Sequence, residues 1–240
     1  SYLERLESRG GGSAKATANI TVEVIARSGS QVKFAAIDRL GENITAYISR
    51  RGKLGKDAGI DWAIGVMNEG NVVADFDSDL IGNGSQADLK VVALSSGRQV
   101  QGIDTRVTNY GCNSIGNILQ HGVILEKATL TFNGIGHIIK GAKGADAQQE
   151  SRVLMLSDQA RSDANPILLI DENDVTAGHA ASIGQVDPED MYYLMSRGLD
   201  KETAERLVVR GFLGSVIVEI PIKEVREEMI ATIEEKLLKR

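Results

Sequence analysis

The chain has 240 residues, a formal net charge of −6 and a hydrophobic content of 42%, which suits one large domain or two modest ones. The acidic balance argues against a nucleic-acid or anionic-membrane surface, which would show clustered lysine and arginine, and no apolar run of about 18 residues indicates a membrane span. The single cysteine, Cys112, excludes an intrachain disulfide framework and favours the reducing cytoplasm.

The first segment, residues 1–17, begins SYLERLESRGGG and resembles the end of a helix, with Glu4, Leu6 and Arg9 in a helix-forming context. It lacks the charged-then-apolar pattern of a secretory signal. We therefore expect residues 1–17 to be the remnant of an N-terminal helical region in a shortened chain.

Short β-type segments follow, over residues 18–170. Most are rich in Val, Ile and Thr and are separated by Gly, Asn, Asp or Ser. They recur about every 10–12 residues, which suits either a β-sandwich or a parallel solenoid. Typical segments are ITVEVIA (20–26), VKFAAI (32–37), LKVVAL (89–94), ATLTF (128–132) and ILLI (167–170).

Two details favour the solenoid over the sandwich. No convincing helix lies between the strands, which argues against βαβ units. Glycine-rich segments such as residues 114–125 and 132–147 would be weak isolated strands, whereas stacking gives them ladder hydrogen bonds on both edges. The sequence therefore predicts a mainly β fold with a parallel β-helix over residues 18–184.

The pattern changes to helices after the segment GQVDPED. Asp187 is a predicted N-cap, with Pro188 at the first helical position, and Asp200 is the N-cap of a second helix. Pro221 opens a third helix. Its predicted apolar stripe consists of Ile222, Val225, Met229, Ile233 and Leu237. These signals predict a small C-terminal α-helical domain over residues 185–240.

The segment ARSDANPILLIDENDVTAGHAASIGQVDPEDMYYLMSRGLDKETAERLVVRGFL, residues 160–213, closely resembles the core signature of the SufB/SufD family of iron–sulfur cluster assembly proteins. The resemblance implies a right-handed parallel β-helix between helical terminal regions. The form TAGHAASIG is most similar to the SufD branch. Ala180 follows His179, where the SufB-like branch has a carboxylate, and Ser151 stands where that branch has a cysteine.

The resemblance also implies a function and partners. The chain would be a non-enzymatic scaffold subunit that pairs with SufB through the β-helix and binds the ATPase SufC through the C-terminal helices. His179 would reach iron or a nascent cluster at the SufB–SufD interface, with the cluster held transiently in the complex and no cofactor bound stably by the isolated chain. Residues 187–213 would dock SufC. The expected contact residues are Met191, Tyr192, Tyr193, Leu194 and Arg197.

The isolated chain is expected to form a homodimer through its terminal strands near residues 150–182. The end of a solenoid exposes a ladder edge, and such an edge normally has to be covered.

From the residues alone, His179 has two interpretations. A lone histidine is most often structural, yet the small residues around His179 would let a partner backbone approach, and neutral imidazole is a competent iron ligand. A single histidine cannot hold a metal tightly, so further ligands would have to come from another chain. Cys112 is expected to be buried and inert, and His121 and His137 to be structural. The acidic cluster Asp171, Glu172 and Asp174 is expected to form a solvated turn.

Two enzyme classes are alternatives. A carbohydrate-active β-helix lyase or hydrolase needs paired carboxylates, or a lysine or arginine base, together with aromatic platforms for sugars. The chain has 4% aromatic residues and one tryptophan. A hexapeptide acyltransferase with His179 as its base needs regular six-residue repeats, and the sequence lacks them.

Overall fold

The computed structural model describes residues 1–8, 14–218, 220 and 222–238. In these residues thirteen β-strands precede three helices. The strands are β1 (Tyr2–Glu7), β2 (Ala16–Ala26), β3 (Gln31–Arg39), β4 (Ile44–Leu54), β5 (Gly59–Val66), β6 (Val72–Leu80), β7 (Gln86–Ser95), β8 (Val100–Asn109), β9 (Ile115–Ile124), β10 (Thr129–Ile138), β11 (Asp146–Met155), β12 (Arg161–Ile170) and β13 (Thr176–Gln185). The helices are α1 (Pro188–Ser196), α2 (Lys201–Ile217) and α3 (Lys223–Leu238).

The strands form two parallel sheets that the chain enters alternately. One sheet has seven strands in the order β1-β3-β5-β7-β9-β11-β13, and the other has six in the order β12-β10-β8-β6-β4-β2. The result is a parallel β-solenoid of about six turns. The predicted parallel β-helix is confirmed and the sandwich is excluded, while the right-handed sense stays a prediction.

Equivalent side chains stack in columns along the solenoid because each strand keeps the register of its neighbours. One inward-facing column runs through Phe34, Trp62, Leu89, Ile118 and Gln149. The rings of Phe34 and Trp62 lie 4.6 Å apart between centroids. Since every turn buries the previous one, strands that would be weak in isolation are stabilised by the burial of apolar surface.

The first segment differs from its predicted structure. Residues 2–7 form strand β1, which pairs in parallel with β3, so the expected helical remnant is wrong for these residues. Tyr2 packs its ring 4.9 Å from Phe34, and Glu4 accepts a hydrogen bond from buried Arg50 at 2.7 Å. Tyr2 and Glu4 are alternate residues of β1, so their side chains lie on the same face of the strand. Their tertiary contacts override the helix-forming composition of this segment. Arg9 lies outside the described residues.

The helical caps agree with the sequence. The Asp187 carboxylate accepts the Glu189 amide N–H at 2.8 Å, and the Asp200 carboxylate accepts the Thr203 amide N–H at 2.7 Å. Both predicted N-caps are therefore confirmed. Pro221, predicted to open the third helix, lies outside the described residues.

Helices α2 and α3 pack on the outer face of the seven-stranded sheet rather than around a core of their own. Val209 and Leu213 of α2 join Ile233 of α3 against Val92 and Val123 of the sheet. The apolar stripe of α3 is confirmed as its buried face, with Val225, Met229, Ile233 and Leu237 buried and Ile222 half-buried. Helix α1 buries no residue. No helix of the described residues is long and apolar enough to cross a membrane.

Candidate functional site

The last turn of the solenoid, made of β12 and β13, leaves inward-facing apolar side chains uncovered. Ile170 is 39% exposed, whereas Ile138, one strand earlier in the same column, is fully buried. Likewise Ile183 is 41% exposed above buried Val153. In the described residues β12 and β13 each have a strand neighbour on one side only. This end of the solenoid is therefore open, and we call it the open end.

His179 lies at the open end in an inward-facing position. It pairs in register with Gln149 of β11 and so continues the column that begins with the aromatic residues of β3 and β5. Its side chain is exposed, and it makes no hydrogen bond or ion pair with the described residues. His179 thus occupies a position that is buried in earlier turns of the solenoid. In the described residues no strand follows β13 in the sheet, so His179 stays exposed.

A groove of about 630 Å³ crosses the outer face of the seven-stranded sheet and reaches His179. Its walls are two rows of outward-facing residues. One row is Asp88, Asn117 and Gln148, and the other is Lys90, Leu119 and Glu150. At β13 these rows end in Gly178 and Ala180, so the groove opens towards the edge strand. Because Gly178 and Ala180 are small, no long side chain borders the groove next to His179.

Among the inward-facing side chains of β12 and β13, His179 is the one histidine, cysteine or carboxylate. His179 offers a single imidazole nitrogen, and the described residues contain no group of three or more His, Cys, Asp or Glu placed to hold a metal ion. A metal held here would take most of its ligands from another molecule.

His121 and His137 make the contacts of structural histidines. The His121 ring stacks on Phe212 of α2 with centroids 5.1 Å apart, and its Nε2 lies 3.2 Å from a Glu150 oxygen. Burial lowers the pKa of His121 below its usual value, although the hydrogen bond with Glu150 acts in the opposite direction. His137 Nε2 lies 3.2 Å from Asp171.

The acidic cluster differs from the solvated turn that the sequence predicts. Glu172 is buried and accepts the amide N–H groups of Gly141 and Asn173 at 3.0 and 2.9 Å. These backbone hydrogen bonds lower the pKa of Glu172, so it is a loop anchor. Asp171 and Asp174 remain exposed. The expectation of a solvated turn was wrong for Glu172. Its role as a loop anchor depends on a backbone donor 31 residues away in the sequence, which no local pattern reveals.

The remaining single candidates lie in structural positions. Cys112 is half-buried in a turn rather than buried, and its thiol donates to the Gly141 carbonyl at 3.3 Å. Ser151 is buried inside the solenoid, where its hydroxyl donates to Gln120 at 2.7 Å.

Helix α1 carries a second exposed surface. Tyr192 is 76% exposed and Tyr193 56%, and the Arg197 guanidinium lies 5.1 Å from the centre of the Tyr193 ring. Met191 and Leu194 are half-buried. The predicted set of five residues therefore divides into an exposed group and a group that faces the body of the protein.

Met195 also belongs to this surface, although it is not among the five predicted contact residues. It is exposed and, with Met191, lines a pocket of about 490 Å³ between α1 and the turn after β11. Met195 follows Met191 by four residues in α1, and this spacing places the two side chains on the same face of the helix.

Comparisons with known proteins identify the family to which the chain is similar. Residues 1–212 match the family model described as "SUF system FeS cluster assembly, SufBD core domain". The chain is 50% identical over 220 residues to the iron–sulfur cluster assembly protein SufD of Bacillus subtilis (strain 168), which covers 91% of the chain and 50% of that protein.

Two further relatives carry the SufBD family description. One, from Mycobacterium tuberculosis (strain ATCC 25618 / H37Rv), is 31% identical over 244 residues, covering 97% of the chain and 59% of that protein. Another, from Staphylococcus epidermidis, is 24% identical over 202 residues, covering 84% and 43%. The chain spans about half the length of each of these three relatives.

Proposed function

The chain belongs to the SufBD core domain family of the SUF iron–sulfur cluster assembly system, and from that premise we propose that it is a non-enzymatic scaffold subunit of the SufD type. The observation that carries the proposal is the exposed, inward-facing His179 at the open end of the solenoid. A cytoplasmic location is part of the proposal, in keeping with a single thiol that forms no intrachain disulfide.

The open end is the proposed partner surface. Exposed Ile170 and Ile183 supply apolar area, and the unpaired outer edges of β12 and β13 supply backbone hydrogen-bonding groups. SufB covers this end in the assembled complex, and a second copy of the chain covers it when SufB is absent. In both cases Gly178 and Ala180 allow close approach to the strand that carries His179.

Iron or a nascent cluster is the proposed cargo at this interface. Neutral imidazole is a borderline ligand that suits iron. Because this chain contributes His179 alone, the remaining ligands come from SufB, and the cargo is held only while both chains are docked. The isolated chain therefore binds no cluster stably.

Helix α1 is the proposed docking surface for SufC. Tyrosine, methionine and arginine are enriched at protein interfaces, and Tyr192, Tyr193, Met195 and Arg197 are exposed together. Helix α2 follows α1 and packs on the sheet, so a movement of SufC reaches the solenoid through α2.

The carbohydrate-active alternative has less support. Asp88 and Glu150 line the groove on the seven-stranded sheet, yet its described lining contains no aromatic residue on which a sugar ring can stack. The acyltransferase alternative is weakened as well, since no acceptor lies within hydrogen-bonding distance of His179 in the described residues.

The test is co-expression of the chain with SufB and SufC, followed by anaerobic absorption spectroscopy of the purified complex. His179→Ala should strongly reduce cluster accumulation and leave SufC binding and ATP hydrolysis largely unchanged. His137→Ala is the matched control, because His137 is a partly exposed histidine on the outer face near the same end. Cluster accumulation at the normal rate in His179→Ala would refute the role of His179.

A further inference from the structure

The two edge strands of the open end differ in the backbone groups that they present. Along a strand, successive residues point their N–H and C=O groups to alternate sides. Beside β12, the Arg161 N–H donates to the Ala128 carbonyl at 3.0 Å, and the Asp171 N–H donates to the Ile138 carbonyl at 2.9 Å. The odd-numbered residues of β12 therefore point their backbone groups towards β10, and the even-numbered residues point theirs towards the free edge.

Pro166 interrupts the free edge of β12. It is an even-numbered residue of this strand, so its nitrogen faces the free edge, where it has no N–H to donate. Arg161 and Asp163 place charges on the outer face of the same strand. Proline and charged side chains are the features by which natural edge strands avoid pairing with other chains, so the edge of β12 is protected.

Strand β13 lacks this protection. The Thr176 N–H donates to the Ala145 carbonyl at 2.9 Å, so the even-numbered residues of β13 face β11 and the odd-numbered residues face the free edge. The strand contains no Pro, Lys, Arg, Asp or Glu, and every residue in it except Gly178 is exposed. Each residue that faces the free edge therefore offers both an N–H and a C=O. These residues are Ala177, His179, Ala181, Ile183 and Gln185.

We propose that β13 pairs antiparallel with β13 of a second copy of the chain, so that the seven-stranded sheet continues across the dimer while the edge of β12 stays unpaired. The proposal rests on the proposed self-association through the open end and names the strand that carries it. A two-fold axis perpendicular to the sheet brings the same edge of both copies together and keeps their inward faces on one side. Because β13 has no acidic side chain, lysine or arginine, no such like charges oppose each other in the pair.

His179 takes part in this pairing through its backbone. Its N–H and C=O face the free edge, so antiparallel pairing joins them to the residue directly opposite in the second copy, with Cα atoms about 5.5 Å apart. Side chains of directly opposite residues point to the same face of a sheet. The residue opposite His179 therefore extends the inward column, and it is the side chain of the second copy that is placed to contact the imidazole.

Ala181→Pro tests the pairing edge. The substitution removes an N–H that faces the free edge and leaves the hydrogen bonds to β11 intact. Ala164→Pro is the matched control, because Ala164 of β12 is also an alanine whose N–H faces a free edge. Analytical ultracentrifugation of the full chain over a concentration series measures the dimer dissociation constant. Ala181→Pro should raise this constant about tenfold or more, and Ala164→Pro should change it by about twofold or less.

Amide hydrogen exchange gives a second measurement if Ala181→Pro fails to fold. In the wild-type dimer the edge-facing N–H groups of β13 should exchange slowly and those of β12 fast, and dilution to the monomer should remove the difference. An effect of Ala164→Pro equal to or larger than that of Ala181→Pro, or fast exchange along β13 in the dimer, would overturn the assignment of β13 and leave the open end standing as the partner surface. A wild-type chain that stays monomeric would overturn both.

Discussion

Arg50 and Asp38 form a fully buried ion pair inside the solenoid. Arg50 Nη2 donates to Asp38 Oδ1 at 2.6 Å and Nη1 donates to Oδ2 at 2.9 Å, and both side chains are completely buried. Arg50 comes from the six-stranded sheet and Asp38 from the seven-stranded sheet, so the pair joins the two sheets across the core.

Removing one member of this pair should destabilise the protein strongly. Arg50→Met leaves the Asp38 carboxylate buried without its partner, and we expect a loss of about 3–5 kcal/mol in the free energy of unfolding, measured by urea titration. Arg51→Met is the control, since Arg51 is 53% exposed and pairs with Asp75 at 3.3 Å; it should lose about 1 kcal/mol or less. Similar losses in the free energy of unfolding of the two variants would contradict the special role of the buried Arg50–Asp38 pair.

His121 should make the stability of the protein depend on pH. Its pKa in the folded state is lowered by burial, so the unfolded chain takes up the proton more readily. The contribution of neutral His121 to the free energy of unfolding is therefore complete above the ordinary histidine pKa of about 6.5. It is lost as the pH falls below that value. The free energy of unfolding should decrease between pH 7 and pH 5.5.

The variant His121→Gln isolates this effect. It should reduce the decrease between the two pH values, as measured by urea titration at each. His137→Gln is the comparison variant, because the His137 side chain is 25% exposed whereas that of His121 is 4% exposed. A wild-type stability that is equal at both pH values would be evidence against the buried neutral state of His121.

The open end should mediate self-association of the isolated chain. Ile183→Glu places a charge among the exposed inward-facing residues and should raise the dimer dissociation constant at least tenfold, which corresponds to about 1.4 kcal/mol. Ile25→Glu is the control, because Ile25 is an exposed isoleucine at the opposite end of the solenoid. Analytical ultracentrifugation measures both. A wild-type chain that sediments as a monomer at micromolar concentration would refute the homodimer.

The surface of α1 should be required for SufC binding and dispensable for folding. Replacing Tyr193 and Arg197 together with alanine removes two exposed side chains that contact each other. The co-purified amount of SufC should fall, while the free energy of unfolding should change by about 0.5 kcal/mol or less. Tyr47→Ala, on the exposed face of the six-stranded sheet, should retain SufC. Unchanged co-purification after the double replacement counts against this docking surface.

Local patterns in the sequence were sufficient for several features of this protein. Strand segments of about equal spacing without helices between them predicted the parallel solenoid, and the side chains of Asp187 and Asp200 predicted where two helices begin. The stripe that includes Val225 and Met229 predicted the buried face of α3. Each of these signals lies within a few residues of the feature it specifies, because capping and amphipathic periodicity are local interactions.

The candidate site depends on contacts that no local pattern contains. Gln149 and His179 are adjacent because the loops before and after β12 have lengths that bring these residues into register. A slip of one residue in either loop would move His179 to the opposite face of the sheet. The sequence identified the histidine and its small neighbours, whereas the tertiary structure placed it in an inward column, at an end that no further strand of the described chain covers. The same reason explains β1, which pairs with β3 only when the turns stack. Arg50 and Asp38 are 12 residues apart in the sequence, yet they meet only because the two sheets face each other across the core.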